Sequence, residues 1–499
     1  MNNTVWAVAC LVALGLSSCS PAAEVSSREN AGPSDAYVLQ SLEWEDCGRG
    51  ALCTQVGAPL DWHNPGVGEE VHLAVVKYEA REKSLGSLFV NPGGPGASGF
   101  DFVRDSVDFA VSGDLRDSFD IIGWDPRGVN RSSAVSCARS DEDLDQFFFG
   151  EALAPQGTPE WEDEVLAESI RFGQECSENT GELLAFVDTL STVYDLDLLR
   201  QLVGDSQLNY LGYSYGTLIG SLYIDTFPAH VGRMVLDGPV DPSASQFELV
   251  LNQHIGFEQA LRAYLEQCSL AGDCPFRGDV TSQLEQIAAL HDDVARNPLR
   301  HSDGRALDDD TLRTAIVTTL YAQSSWGYLA TMFREVMAGE TETAMFLVDF
   351  YYDRVDGVYQ NNSMEAFIAI NCLDYPTEFD DTVVAAQAQQ LRKAAPYTAR
   401  VDGTGDLVCQ HWPYEARLDK GPVSGAGANP VIILGTTGDP ATPYSWAVSV
   451  HEQLENSVLL TLVGEGHLAY DERVACINDP VDHYFLTGEV PRDDLRCER

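Results

Sequence analysis

Residues 209–218 read "NYLGYSYGTL". An apolar run from Leu208 to Gly212 meets Ser214 between two glycines. A helix-like run, "YGTLIGSLYIDTFP", follows and stops at Pro228. "GYSYG" matches Gly-x-Ser-x-Gly, a pentapeptide that also occurs by chance. Framed by a strand before and a helix after, it reads as a nucleophile elbow. The serine sits on a sharp turn, so its hydroxyl projects from a sheet edge. The glycines remove side chains that would clash, and the helix N-terminus adds positive potential for a developing oxyanion.

A serine hydroxyl needs a base, and the base needs an orienting acid. On this kind of scaffold they follow in the order Ser, Asp, His, each at a strand end. "VIILGTTGDPATP" places Asp439 just after one strand, and "VLLTLVGEGHLAY" places His467 just after the next. The separation of 28 positions leaves room for one helix, Tyr444 to Leu454, and one strand. His451 lies within that helix, His483 lies beyond the last core strand, and Asp471 follows His467 rather than preceding it. An oxyanion hole completes the set. "LFVNPGGPGASG" (Leu88 to Gly99) is a strand ending in a Gly-rich loop. Its donors are expected to be the N–H of Tyr215 and one from this loop, Gly94 with Gly93 as the alternative. A phosphate cradle would need a P-loop Lys-Ser/Thr or Gly-x-Gly-x-x-Gly, and neither follows. Asp125 and Arg127 in "IIGWDPRGVNRSS" are expected to brace the site through an ion pair and backbone hydrogen bonds.

Short Val/Ile/Leu-rich runs repeat this strand pattern at Val71–Tyr78, Leu85–Val90, Phe119–Trp124, Met234–Leu236, Val431–Leu434 and Val458–Val463. Such runs suit a mostly parallel sheet buried on both faces. "TLSTVYDLDLLRQLVG" puts Val193, Leu196, Leu199 and Val203 on one helix face. The class is α/β, and the expected fold is an α/β-hydrolase with a large inserted helical lid. Residues 37–238 and 429–499 form the two parts of the core. The lid occupies 239–428, where amphipathic runs such as "FEQALRAYLEQC" and "VTSQLEQIAALHDDV" replace the strands.

The chain has 499 residues, 44% of them hydrophobic, and a formal net charge of −47. Nucleic acid is excluded as a partner, because phosphate binding needs a basic face. An acidic surface either serves solubility in salt or draws in cationic substrates. Residues 1–18 read as an export signal, since "VWAVACLVALGL" has the length of a signal core and is too short to span a bilayer. "LSSC" resembles a bacterial lipoprotein cleavage box, which implies a lipid-modified Cys19, a membrane anchor and a tether over 19–36. No Lys or Arg precedes the apolar run, and an ordinary cleaved signal is the alternative. Beyond Cys10 and Cys19, ten cysteines remain, an even set that reads as disulfides in an exported chain. Their spacing suggests neighbour pairing, Cys47/Cys53, Cys137/Cys176, Cys268/Cys274, Cys372/Cys409 and Cys476/Cys497, among many possible pairings. No Cys-x-x-Cys or His-rich cluster indicates a metal, and no cofactor is expected.

"NPGGPG", "WDPRG", "GYSYG", "TTGDPATP" and "GEGH" stand in the order found in the proline iminopeptidase and tripeptidyl aminopeptidase family of α/β-hydrolases, which the chain resembles. "AINCLDYP", "CQHWP" and "YFLTGEVPRDDLRC" are similar to the secreted tripeptidyl aminopeptidase branch of actinobacteria. The resemblance implies a serine exopeptidase that removes short peptides or single residues from free N-termini of peptide substrates. Such an enzyme needs a carboxylate to hold the substrate's ammonium group. Glu365 and Asp374, in and beside the lid segment "AFIAINCLDYP", are the candidates. An esterase or lipase would use the same triad and remains the alternative.

Overall fold

The computed structural model describes residues 35–498 apart from 155–156, 273, 401–405, 419–420 and 471–473. The leader, Cys19 and Asp471 lie outside the described residues. Ten strands form one sheet among the described residues. In chain order they are β1 (Glu45–Asp46), β2 (Leu52–Ala58), β3 (Val71–Tyr78), β4 (Ser87–Asn91), β5 (Asp120–Trp124), β6 (Leu208–Tyr213), β7 (Val231–Asp237), β8 (Val431–Gly438), β9 (Ser457–Glu465) and β10 (Leu495–Glu498). Across the sheet the order is β1-β2-β3-β5-β4-β6-β7-β8-β9-β10. Pairings from β1 to β5 are antiparallel, and those from β5 onward are parallel.

Successive residues of the parallel strands point to opposite faces, and both faces are buried. Phe89, Tyr210, Leu236 and Ile433 face one layer, while Leu88, Leu211, Val235 and Ile432 face the other. The first layer is covered by α2 (Thr189–Leu202), α3 (Gly216–Thr226) and α4 (Tyr444–Gln453). The second is covered by α1 (Gly99–Ala110) and α5 (Ala475–Thr487). This is why the strands read as continuous apolar runs.

Between β7 and β8 the chain builds helices, among them Gln246–Ala271, Val280–Arg296, Asp309–Leu320, Ser363–Asp374 and Asp381–Ala394. Ser245 and Glu248 cap the first of these reciprocally, each side chain accepting from the other's backbone N–H. Leu261, Leu265, Leu284, Ile287, Leu312 and Phe333 give the lid a core of its own. A second stretch of sequence touches it. Residues 134–188 carry the helix Pro159–Thr180 and pack against the lid, where Arg354 pairs with Asp145 at 2.8 Å and Tyr359 donates to the same carboxylate at 3.0 Å. Val135, Cys137, Phe172, Cys176, Leu184 and Val187 of this stretch pack into the core that covers the first face of the sheet.

The structure joins the cysteines as Cys47–Cys53, Cys137–Cys176, Cys268–Cys274, Cys372–Cys409 and Cys476–Cys497. Among the described residues no helix is long and apolar enough to cross a membrane.

Candidate active site

β6 ends at Tyr213 and α3 begins at Gly216, so two residues make the turn. Ser214 has φ 53°, a left-handed conformation that costs a non-glycine residue about 1–3 kcal/mol. Hydrogen bonds hold it there. Ser214 N donates to Asp237 O at 2.9 Å, and Ser214 O accepts from Thr217 N at 2.8 Å and Thr217 Oγ1 at 2.5 Å. The flanking glycines are sterically required. A Cβ on Gly212 would lie 2.7 Å from Gly216 O, and one on Gly216 would lie 2.7 Å from Asn91 Oδ1.

β8 and β9 are parallel neighbours, and a register shift after Thr436 sets Gly438 opposite Glu465. The loops that follow them bring Asp439 and His467 together. His467 Nδ1 lies 3.0 Å from Asp439 Oδ1 and 2.9 Å from Oδ2. An ionised carboxylate only accepts, so Nδ1 carries the hydrogen and Nε2 is left as the base. Asp439 is buried and also accepts from Ala441 N at 3.0 Å, Thr442 N at 2.9 Å, Thr442 Oγ1 at 3.0 Å and Leu468 N at 3.2 Å. Burial disfavours the charge on His467, but the Asp439 carboxylate, its hydrogen bond and the Asp237 charge outweigh that, and the imidazole titrates above its usual range.

The end of β7 links nucleophile to base. Asp237 O accepts from Ser214 N, and a Cβ on neighbouring Gly238 would lie 3.3 Å from His467 Cε1. The Asp237 carboxyl, fully buried, accepts from Ala469 N at 2.9 Å and Tyr470 N at 2.9 Å, which fixes the loop after His467. Burial pushes this carboxyl up to about 7 despite those N–H donors. The lid reaches the same loop: His467 N donates to Tyr321 O at 2.7 Å, and the Tyr321 ring stands edge-on to the imidazole at 5.5 Å.

β4 lies beside β6, with Asn91 opposite Gly212, so the Gly-rich loop emerges next to Ser214. Gly93 is buried, with φ 99°. A Cβ there would lie 2.9 Å from Tyr215 N and 3.0 Å from Ser214 Cβ. Its N–H is donated to Asn91 Oδ1 at 3.0 Å. Gly94 has φ 109° and is exposed.

The two carboxylates expected to hold a substrate ammonium are both buried. Glu365 is buried and accepts from Cys137 N at 2.5 Å. Burial pushes it up to about 7, although N–H groups of Cys137 and Ala138 favour its charge. Asp374 is fully buried, accepting from Thr189 N at 2.9 Å and Thr189 Oγ1 at 2.5 Å. That hydroxyl in turn lies 2.5 Å from Tyr215 Oη. Asp374 thus anchors the first turn of α2 and the ring next to the nucleophile. Neither carboxylate faces the cavity beside His467. The Asp125–Arg127 ion pair also gives way to other partners. Asp125 accepts from Ser98 Oγ at 2.5 Å, Phe100 N at 3.1 Å and Arg131 N at 3.1 Å, and burial pushes it up to about 6. Arg127 turns toward α2 and binds Asp195 in a fork, at 2.7 and 2.6 Å, with both side chains fully buried.

Asp237 and Tyr321 escaped the sequence reading. A carboxylate ending the strand after the elbow was a usable signal for Asp237. Tyr321 acts at the backbone through its carbonyl, which no residue type advertises.

A family model described as TAP-like protein matches residues 395–497. Serine protease Hip1 of Mycobacterium tuberculosis (strain ATCC 25618 / H37Rv) is 32% identical, with 99% of this chain and 97% of Hip1 aligned. The chain belongs to the TAP-like family of α/β-hydrolases. Carboxylesterase B of the same organism is 34% identical, over 96% of this chain and 94% of its own. Tripeptidyl aminopeptidase of Streptomyces lividans is 30% identical, over 91% and 86%. As a TAP-like α/β-hydrolase this chain is a serine hydrolase.

Proposed function

We propose that the chain is a serine exopeptidase releasing short peptides, tripeptides foremost, from free N-termini through an acyl-enzyme on Ser214. The observation that carries the reading is the Asp439–His467 hydrogen bond on a loop adjoining the strained Ser214 elbow. His467 Nε2 takes the Ser214 hydroxyl proton as Oγ attacks the scissile carbonyl. The tetrahedral oxyanion receives the N–H groups of Tyr215 and Gly94, since Gly93 spends its own on Asn91. His467 then protonates the leaving amine, and water repeats the sequence to release the acyl part. Asp439 stays ionised throughout and supports the imidazolium, in keeping with the raised titration of His467.

Peptidase activity is favoured by the relatives named serine protease Hip1 and tripeptidyl aminopeptidase. Glu365 and Asp374 are committed inside the protein, so attraction of a cationic N-terminus falls to the acidic surface, with net charge −47. Export, with a lipid on Cys19 tethering the enzyme to the envelope, belongs to the same proposal. Ester hydrolysis is the second reading, favoured by the relative named Carboxylesterase B and by an aromatic cavity beside His467. Incubating the protein with one peptide, free or N-acetylated, and with an ester of the same acyl part separates the two by mass spectrometry. Stepwise N-terminal trimming of the free peptide alone supports the exopeptidase. Ester turnover with both peptides intact supports the esterase.

A further inference from the structure

The cavity beside His467 has a volume of about 510 Å³ and one directional feature. Three aromatic rings descend its wall. Phe109 is 71% exposed at the mouth. Its ring meets Phe102 edge-to-face at 6.3 Å, and Phe102 meets Tyr213 edge-to-face at 6.1 Å. Tyr213 is buried and immediately precedes the nucleophile. Phe102 and Phe109 stand seven residues apart on α1, about two helical turns, so they share one face. Opposite stand lid residues Tyr321 to Ser324 and His467 itself. Among the described residues no Asp, Glu, Lys or Arg lines the cavity.

The imidazole that forms part of this wall must deliver its proton to the departing amine, so the leaving group lies against His467. A channel that starts at His467 and opens to solvent past Phe109 therefore carries the leaving segment. We infer that the residue just after the scissile bond packs against Phe102 and Tyr213, that the chain leaves past Phe109, and that an apolar or aromatic residue is selected at that position. A carboxylate or ammonium there would lose hydration against the rings of Phe102 and Tyr213. This rests on the roles given to Ser214 and His467.

The test is a series of peptides with one acyl part and Phe, Leu, Ala or Asp after the scissile bond, alongside the methyl ester of that acyl part. The same leaving-group series built as alkyl and aromatic alcohol esters reads the cavity if the enzyme cleaves only esters. Wild type should prefer the apolar or aromatic leaving group over the charged or small one by about 10-fold or more in kcat/KM, chiefly through KM. Phe109→Ser and Phe102→Ala should bring that ratio down to about 3-fold or less. A ratio is unaffected by partial loss of folded protein, and the exposure of Phe109 makes its replacement mild. Equal rates across the series, or a preference unchanged in both variants, overturn the inference while methyl ester turnover leaves the catalytic roles standing. Loss of turnover on every substrate, the methyl ester included, overturns both.

Discussion

Glu365→Gln separates a structural carboxyl from a substrate clamp. In the folded chain Glu365 titrates near 7 against an ordinary 4.5, because it is buried beside Cys137 N. A carboxyl raised in the folded state holds its proton while the unfolded chain releases it. Its contribution to stability is therefore intact below about pH 4.5, declines as pH rises to about 7, and is flat above. A gap of that size corresponds to about 3 kcal/mol. Glutamine has nearly the same shape, keeps a carbonyl to accept from Cys137 N, and cannot ionise. The unfolding free energy of the variant relative to wild type should thus rise by about 3 kcal/mol between pH 4.5 and 8. Asp237 titrates in the same direction but is present in both proteins and cancels. Urea unfolding with disulfides intact, run at several pH values, gives the two curves. Parallel pH profiles would refute the burial argument. Parallel profiles together with a raised KM for peptides with free N-termini, and not for acetylated ones, would return Glu365 to the substrate.

Asp439→Asn should lower kcat by on the order of 10⁴ and move the acidic limb of the pH–rate profile downward, since the carboxylate that holds His467 above its usual range is gone; a residual activity with an unmoved limb contradicts the pairing. Gly216→Ala should reduce kcat more than 100-fold and destabilise by about 1–3 kcal/mol, because its Cβ would lie 2.7 Å from Asn91 Oδ1; near-wild-type turnover and melting temperature would show that the elbow tolerates a side chain. Replacing both Cys372 and Cys409 by Ser opens a 37-residue separation and should cost about 4 kcal/mol. Activity should fall before global unfolding, since Asp374 on the same helix supports Tyr215 through Thr189; coincident loss by activity assay and circular dichroism contradicts that order.

The legible parts of this molecule are those in which local pattern and global position coincide. β6 and β8 are buried on both faces, so their apolar runs stand out, and Ser214, Asp439 and His467 follow strand ends directly. β2, "LCTQVGA", was not legible: it lies toward the antiparallel edge, and Thr54 and Gln55 interrupt its pattern. β10 is an edge strand of four residues, of which only Cys497 is buried. Partners distant in sequence were also hidden. Arg127 finds Asp195 68 residues away, inside a run that reads only as an amphipathic helix. Asp374 finds Thr189 across 185 residues. Glu365 and Asp374 had the right residue type for a clamp, and their burial against Cys137 and Thr189 is set by tertiary packing that local sequence does not display. Residues 134–188 touch the inserted segment through Asp145 with Arg354 and Cys137 with Glu365, contacts that no local periodicity encodes.

Rapid acid quenching of the enzyme during turnover of a peptide or its activated ester, followed by peptide mapping, reads the site of acyl attachment. The mechanism predicts that the segment containing Ser214 gains the mass of the acyl part, that Ser214→Ala gains nothing, and that the variant loses activity on the order of 10⁶-fold. An acyl group on another residue, or turnover by Ser214→Ala at a tenth of the wild-type rate, would contradict it.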